Sequence, residues 1–361
     1  MSKVNFRTTV SLDEAKTLIK TTGQHVTHVI ISEPGVGKSS LLGMLQEEMG
    51  TDEYDFIYVD CPVKDMMDIA ASIPNHHTKT LEYYVSSLLK AGNGKKKVIM
   101  LDELMKAPRL MQILFTRLML ERTWGDEALP EGSIVFATSN NATDGVGDSM
   151  LDHAGNRVCK VYLRKASGEE WNMWASVMVD GKPRVARSIR AWAAMNPRAF
   201  ASYLDGDQDD NPYIFHPQRG GRQFVSLRSL AKASVFVERR AQLTDNALMC
   251  ALSGVLGEAA AKSMAAFIAL ESKLIRATEV LKDPTGVEVP DDVSALIMMM
   301  FDGVDVVKTQ DELVGFMQFV SRVPQAEVQS VFFTMMMRSK PRLARYNAAI
   351  QKWAADNHVL M

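Results

Sequence analysis

Cysteine is nearly missing from this chain. Cys61, Cys159 and Cys250 are the three in 361 residues, an odd number without paired spacing, so neither a disulfide framework nor a C-x-x-C metal site can be read. The seven histidines, His76 and His77 among them, stand at no ligand spacing with Cys or Asp; surface positions are expected for them, and metal ligation is not. A surplus of one charge sign is also lacking. The formal net charge of -2 is far from the basic excess of a nucleic-acid coat or of a protein drawn to anionic membranes, which leaves only local basic patches open. No stretch approaches the roughly 20 apolar residues that cross a bilayer, and MSKVNFRTTVSLDEAK has no apolar signal-peptide core. A soluble protein of a reducing cytoplasm is expected.

Hydrophobic residues make up 47% of the chain and charged ones 23%, the balance of an ordinary globular protein, so folding along most of its length is expected. Its length exceeds what one compact core usually holds, and two or three domains follow. Strand and helix signals alternate in the first half. HVTHVII, DFIYVD, KKVIMLDE, SIVFATSN and VCKVYL read as strands, while SLLGMLQEEM, TLEYYVSSLLKA and APRLMQILFTRLMLER read as helices. Nearly all-apolar strands separated by amphipathic helices imply a parallel sheet covered on both faces. Beyond about residue 165 helical periodicity takes over, broken by the polar loop DGDQDDNPYIFHPQRGGRQ. The expected division is an α/β domain over 1–165, a helical domain over 166–270 and a helical extension over 271–361, without internal repeats. Met298, Met299, Met300, Met335, Met336 and Met337 are expected to fill core, and the run Lys95, Lys96, Lys97 to be a solvated edge.

Two motifs carry chemistry. ISEPGVGKSS places Gly37, Lys38 and Ser39 as the end of a G-x-x-x-x-G-K-[ST] loop, with Ser32 where the pattern has its first glycine. A strand precedes it and a helix follows, so the backbone N–H groups of Pro34-Gly35-Val36-Gly37-Lys38-Ser39-Ser40 and the positive helix end can converge on phosphates; proline contributes no N–H of its own. Lys38 reaches the β- and γ-phosphates in such a loop, and the Ser39 hydroxyl is a magnesium ligand. The plain alternative is a strand-to-helix turn. The second motif, VIMLDE, delivers Asp102 and Glu103 at the carboxyl end of a buried strand. Asp102 can hold magnesium through water, and Glu103 can orient or deprotonate an attacking water. Alone, the pair could be a solvated cap; the glycine loop upstream supplies the partner that phosphoryl transfer needs.

EPGVGKS, LDELMKAPRLMQILFTRLMLE and FATSNN together resemble the MoxR branch of AAA+ ATPases, with its GEPGVGKT-type loop, LLLDEINRAPPKVQ-type Walker B region and IATQNP-type sensor strand. They resemble in particular its divergent phage-encoded members. The likeness covers about residues 10 to 240 and fades beyond. It implies an AAA+ P-loop core with a parallel sheet, an all-helical lid and a C-terminal helical extension, using ATP and Mg2+. It places Asn140 as the sensor 1 residue that helps orient the attacking water. MLDHAGNRV resembles the segment bearing the arginine finger, which implies Arg157, with Arg164 as competitor. FVSLRSLAKA resembles the sensor 2 segment, which implies Arg228 in the lid, although Leu227 stands where the family commonly has proline. ERTWGDEALPEGS and PVKDMMDIAASIPN correspond to a hairpin before sensor 1 and an insert facing the channel.

The resemblance further implies a homo-oligomeric ring, most commonly a hexamer, that remodels or activates a client protein. A partner with a von Willebrand factor A domain is the usual one for the branch, and the host bacterial cytoplasm is the location if the chain is phage-encoded. Two rival readings stand beside it: a nucleic-acid motor or loader, disfavoured by the charge and by the lack of a DNA-binding motif, and a scaffold that binds ATP with little hydrolysis.

Overall fold

The computed structural model describes residues 8–89, 93–124, 127–141, 156–271 and 274–356. The chain divides into two compact units. The first holds residues 1–165 and two short returns, Leu204–Gly206 and Phe215–Gly220; the second holds the remainder.

The first unit opens with helix α1 (Leu12–Thr22), whose start is set by a capping box between Ser11 and Glu14. Then come β1 (His28–Ser32), α2 (Leu41–Met49), β2 (Tyr54–Asp60), a short turn of helix α3 (Met66–Ile69), β3 (Ala70–Asn75), β4 (Thr80–Val85), β5 (Lys96–Asp102) and α4 (Arg109–Glu121). The two-residue strands β6 (Thr123–Trp124) and β7 (Glu127–Ala128), then β8 (Ile134–Asn140) and β9 (Cys159–Tyr162), complete it. Five strands form one sheet in the order β2-β5-β8-β1-β9, and every neighbouring pair is parallel. All residues of β1 are buried. One apolar cluster, with Val29, Ile99, Phe115 and Val135, and another, with Ile30, Leu41, Met100 and Phe136, use alternate residues of the same strands. The sheet is therefore covered on both faces, as its apolar strands require.

Three expectations are corrected here. TLEYYVSSLLKA does not begin as a helix: Thr80–Val85 is a strand, paired antiparallel with Ala70–Asn75. The aromatic and β-branched content of TLEYYV suits a strand, and Lys79, at φ 59°, closes the turn that folds it back on β3. The lysine run is not uniformly a solvated edge. Lys97 is buried, its Nζ 2.7 Å from Asp55 Oδ2 and 2.6 Å from Asn93 Oδ1, because parallel pairing of β5 with β2 sets the two charged residues opposite one another. Nor is every histidine at the surface. His28, 1% exposed, begins β1 with Nε2 3.0 Å from Thr22 Oγ1, and its Nδ1 has no hydrogen-bond partner among the described residues.

The second unit is mainly helical, and one apolar cluster runs through it from Trp171 to Ile350, on both sides of residue 270. Met298, Met299, Met300, Met335 and Met336 are buried in it, the expected use of a flexible thioether. Arg190 is fully buried and donates to Val185 O at 3.0 Å, Ser176 Oγ at 3.1 Å and the Asp305 carboxylate. Among the described residues no helix is long and apolar enough to cross a membrane.

Burial, then the nearby Arg122 charge, holds the His28 ring below its ordinary 6.5. A ring kept neutral in the fold but free to protonate when unfolded contributes stability that is complete above about pH 6.5 and is lost as pH falls toward the folded-state value. The thermal midpoint is expected to fall between pH 7.5 and 5, with a shallower slope in His28→Gln. For the buried pair, Lys97→Ala leaves Asp55 without this cation, although the Asn93 amide still donates to it at 2.6 Å, and is expected to cost about 3 kcal/mol in urea unfolding. Lys97→Met combined with Asp55→Leu should cost less than that single change; an equal or larger loss would rule out the stranded charge as the cause.

Candidate phosphate-binding site

Strand β1 ends at Ser32, and the chain turns through Glu33, Pro34, Gly35, Val36 and Gly37 into a 3-10 turn, Lys38–Ser40, that runs on into α2. Gly35 has φ 80° and Gly37 φ 105°, in the left-handed region where a side chain is strained. A Cβ at Gly37 would meet no atom closer than 3.7 Å, so backbone conformation rather than lack of room demands glycine there. Val36, 2% exposed, anchors the loop in the apolar cluster on the α2 side of the sheet. The loop thus presents its backbone at a helix start, the arrangement that favours an anion.

The strand order decides what surrounds this loop. Strand β8 lies between β1 and β5, so three adjacent parallel strands end side by side, with Ser32 registered against Asn140. Lys38 is buried, with Nζ 2.9 Å from Asn140 Oδ1, 2.9 Å from Ser32 Oγ, 3.1 Å from Glu33 O and 3.2 Å from Ser32 O. The Ser39 hydroxyl is 3.3 Å from Asp102 Oδ2. Lys38, Ser39, Asp102 and Asn140, chosen from separate stretches of sequence, therefore meet at one end of the sheet. Ser40 turns away, donating to Gly37 O at 2.7 Å.

Asp102 is the most heavily engaged group. Its Oδ1 accepts from the Thr138 hydroxyl, and its Oδ2 from Tyr58 at 2.8 Å. Thr138, wholly buried, also accepts from the Glu103 backbone N–H at 3.2 Å, so one hydroxyl fixes both the Asp102 carboxylate and the turn that projects Glu103. Glu103 itself sits at φ 53° and pairs with Lys106 at 2.7 Å. Burial and the adjacent Asp102 push the Tyr58 hydroxyl well above its ordinary value, so it stays a donor. The same two causes, burial first, raise the buried Cys61 thiol, which excludes it as a thiolate nucleophile.

Thr138 and Tyr58 were not expected from the sequence. Thr138 could have been found, because it stands two residues before Asn140 and side chains two apart share a strand face. Tyr58 could not, since only the pairing of β2 with β5 brings it to Asp102.

The donor set suits magnesium. A hydroxyl and a carboxylate are hard oxygen ligands, and Mg2+ takes most of its remaining shell from water and phosphate oxygens. Ser39 and Asp102 would hold it, leaving Lys38 to meet the phosphates.

The hydrogen bonds described above for this cluster involve no arginine. Arg157 is exposed in the turn before β9, at the amino end of the sheet, whereas the loop lies at the carboxyl end. Arg164 follows β9, exposed, with its N–H donating to Val10 O at 2.9 Å. Arg228 belongs to the second unit, exposed in the first turn of the helix Leu227–Glu238. Leu227 does not loosen that helix start, because Ser226 and Ser229 form a capping box around it. Most of MLDHAGNRV, residues 150–155, lies outside the described residues. ERTWGDEALPEGS contains the antiparallel pair β6–β7, and PVKDMMDIAASIPN leads through α3 into β3.

No model of a known family matches the chain, and no curated protein matches it either. Among solved structures it is similar to NtrX from Brucella abortus in complex with ADP, at 11% identity over 98% of this chain and 67% of that one, TM-score 0.41. It is also similar to the Thermotoga maritima RuvB K64R mutant, at 12% identity over 79% and 78%, TM-score 0.35. A full-length MCM homolog from Methanopyrus kandleri gives 13% identity over 71% and 53%, TM-score 0.29. Likeness at these scores carries no weight for chemistry.

The Thr138 bridge can be tested without any ligand. Thr138→Val removes the donor to a buried carboxylate and is expected to lower unfolding stability by roughly 1–3 kcal/mol, while Thr138→Ser retains most of it. Equal losses in urea titrations of the two variants would point to packing instead of the hydroxyl.

Proposed function

We propose that the chain is an AAA+ ATPase that binds ATP with Mg2+ and hydrolyses it. The observation that supports this most directly is the meeting of Lys38, Ser39, Asp102 and Asn140 at the carboxyl ends of three adjacent parallel strands. In this reading the loop N–H groups and Lys38 hold the β- and γ-phosphates, and Ser39 and Asp102 hold the metal, which neutralises charge on the transferring group. Glu103 takes the proton of the attacking water once its carboxylate is released from Lys106, and Asn140 orients that water. Arg228, on a helical lid spanning 166–270, acts as sensor 2, and 271–361 forms the extension.

Arg157 supports assembly. Exposed at the sheet end away from its own loop, it suits a finger that completes a neighbouring subunit's site, so turnover requires a homo-oligomeric ring, a hexamer by resemblance. The motion driven by hydrolysis serves to remodel or activate a client protein, in the manner of MoxR-like chaperones, with a von Willebrand factor A domain protein as the partner to try first.

Phosphate release measured against protein concentration tests this. Turnover should rise cooperatively, Lys38→Ala should lose ATP binding, and Glu103→Gln should keep binding while losing turnover by at least about 100-fold. Arg157→Ala should show a comparable loss that wild-type subunits mixed into the ring partly relieve. Glu103→Gln turning over like wild type would overturn the assignment of the base. ATP bound without turnover at any concentration would favour the scaffold reading, and turnover that depends on DNA would favour a nucleic-acid motor.

A further inference from the structure

The phosphate-loop pattern departs from expectation at Ser32, and the side chain of this residue meets Lys38. Ser32 is 2% exposed. Its hydroxyl accepts from Lys38 Nζ at 2.9 Å and donates to Glu33 O at 2.9 Å, so its own proton is committed to the backbone and a lone pair is turned to the ammonium. A glycine at 32 offers no such acceptor. An ammonium carries three protons, yet Ser32 O, Ser32 Oγ, Glu33 O and Asn140 Oδ1 all stand within reach of it. The acceptors outnumber the donors, so one can be given up at little cost. Three belong to the end of β1 and its turn; the fourth belongs to β8.

We propose that the Ser32 hydroxyl is a positioning residue that keeps Lys38 aimed from the β1 side, while Asn140 is the acceptor that Lys38 relinquishes when a phosphate arrives. The inference rests on the nucleotide-site reading above. Ser32 remains on the ammonium with and without nucleotide and limits the rotamers of a long side chain that phosphate binding would otherwise have to order. Asn140, once released, has its amide free to face the attacking water, so occupation of the loop and readiness of the sensor are linked through a single hydrogen bond. The two residues that touch the same ammonium thereby affect different constants: Ser32 governs binding common to ground and transition states, and Asn140 governs the chemical step.

Steady-state ATP hydrolysis by the assembled full-length protein, with ATP and ADP binding by calorimetry, tests this on Ser32→Ala, Ser32→Gly, Ser32→Thr, Asn140→Ala and Lys38→Ala. Ser32→Ala and Ser32→Gly should raise KM and the ATP Kd about tenfold with kcat within about twofold, the signature of lost uniform binding. Ser32→Thr, which restores the hydroxyl, should recover most of it, and Asn140→Ala should lower kcat without raising KM. Thermal midpoints without nucleotide identify a variant that is merely misfolded, whose loss would appear as fewer active sites and not as a raised KM. Unchanged KM in both Ser32→Ala and Ser32→Gly, with Lys38→Ala still abolishing binding, would overturn the role of Ser32 and leave the site standing. Unchanged ATP binding in Lys38→Ala would overturn the nucleotide site itself, and this inference with it.

Discussion

Everything at the candidate site depends on the position of β8 between β1 and β5. Parallel pairing on both sides brings three strand ends within two residues of one another, with Ser32 level with Asn140 and Leu101 with Ala137. A lysine from the first strand's turn, an asparagine and a threonine from the second, and two carboxylates from the third are thus assembled by backbone hydrogen bonds of the sheet. The side-chain contacts refine a meeting that the ladder has already arranged. This is why carboxyl ends of parallel strands serve as binding surfaces in open α/β sheets.

Burial raises the stakes of these polar contacts. Lys38, Asp102 and Thr138 are each under 10% exposed, and a buried polar group without a partner costs more than a partnered one contributes. The network is closed accordingly: Asp102 accepts from three hydroxyls, and Lys38 faces several oxygens. Such closure means that the Asp102 carboxylate and the Lys38 ammonium are held by the protein's own oxygens and hydroxyls.

The parallel sheet was legible because its strands are short apolar runs bounded by turn residues, and the loop was legible because GVGKS sits between one of those strands and a helix. What escaped was decided by pairing partners. TLEYYV satisfies both a helical and a strand pattern when read alone, and its antiparallel match to AASIPN settles it. Lys97 and His28 look like surface residues by type, yet Asp55 across the ladder and Thr22 on α1 make their burial tolerable. Ser32 was noticed as a missing glycine; that its hydroxyl meets Lys38 depends on how the turn folds back over β1, which no local pattern specifies.

Glu103 carries a tension of its own. Its backbone lies in the left-handed region at φ 53°, a conformation that costs a side-chain-bearing L-residue roughly 1–2 kcal/mol and that glycine adopts freely. A chain shaped by folding stability alone would therefore favour glycine after Asp102, and the turn would close more easily for it. If Glu103 is the base proposed above, keeping a carboxylate there trades robustness for chemistry, and at this position selection for a sturdier fold and selection for activity would pull in opposite directions.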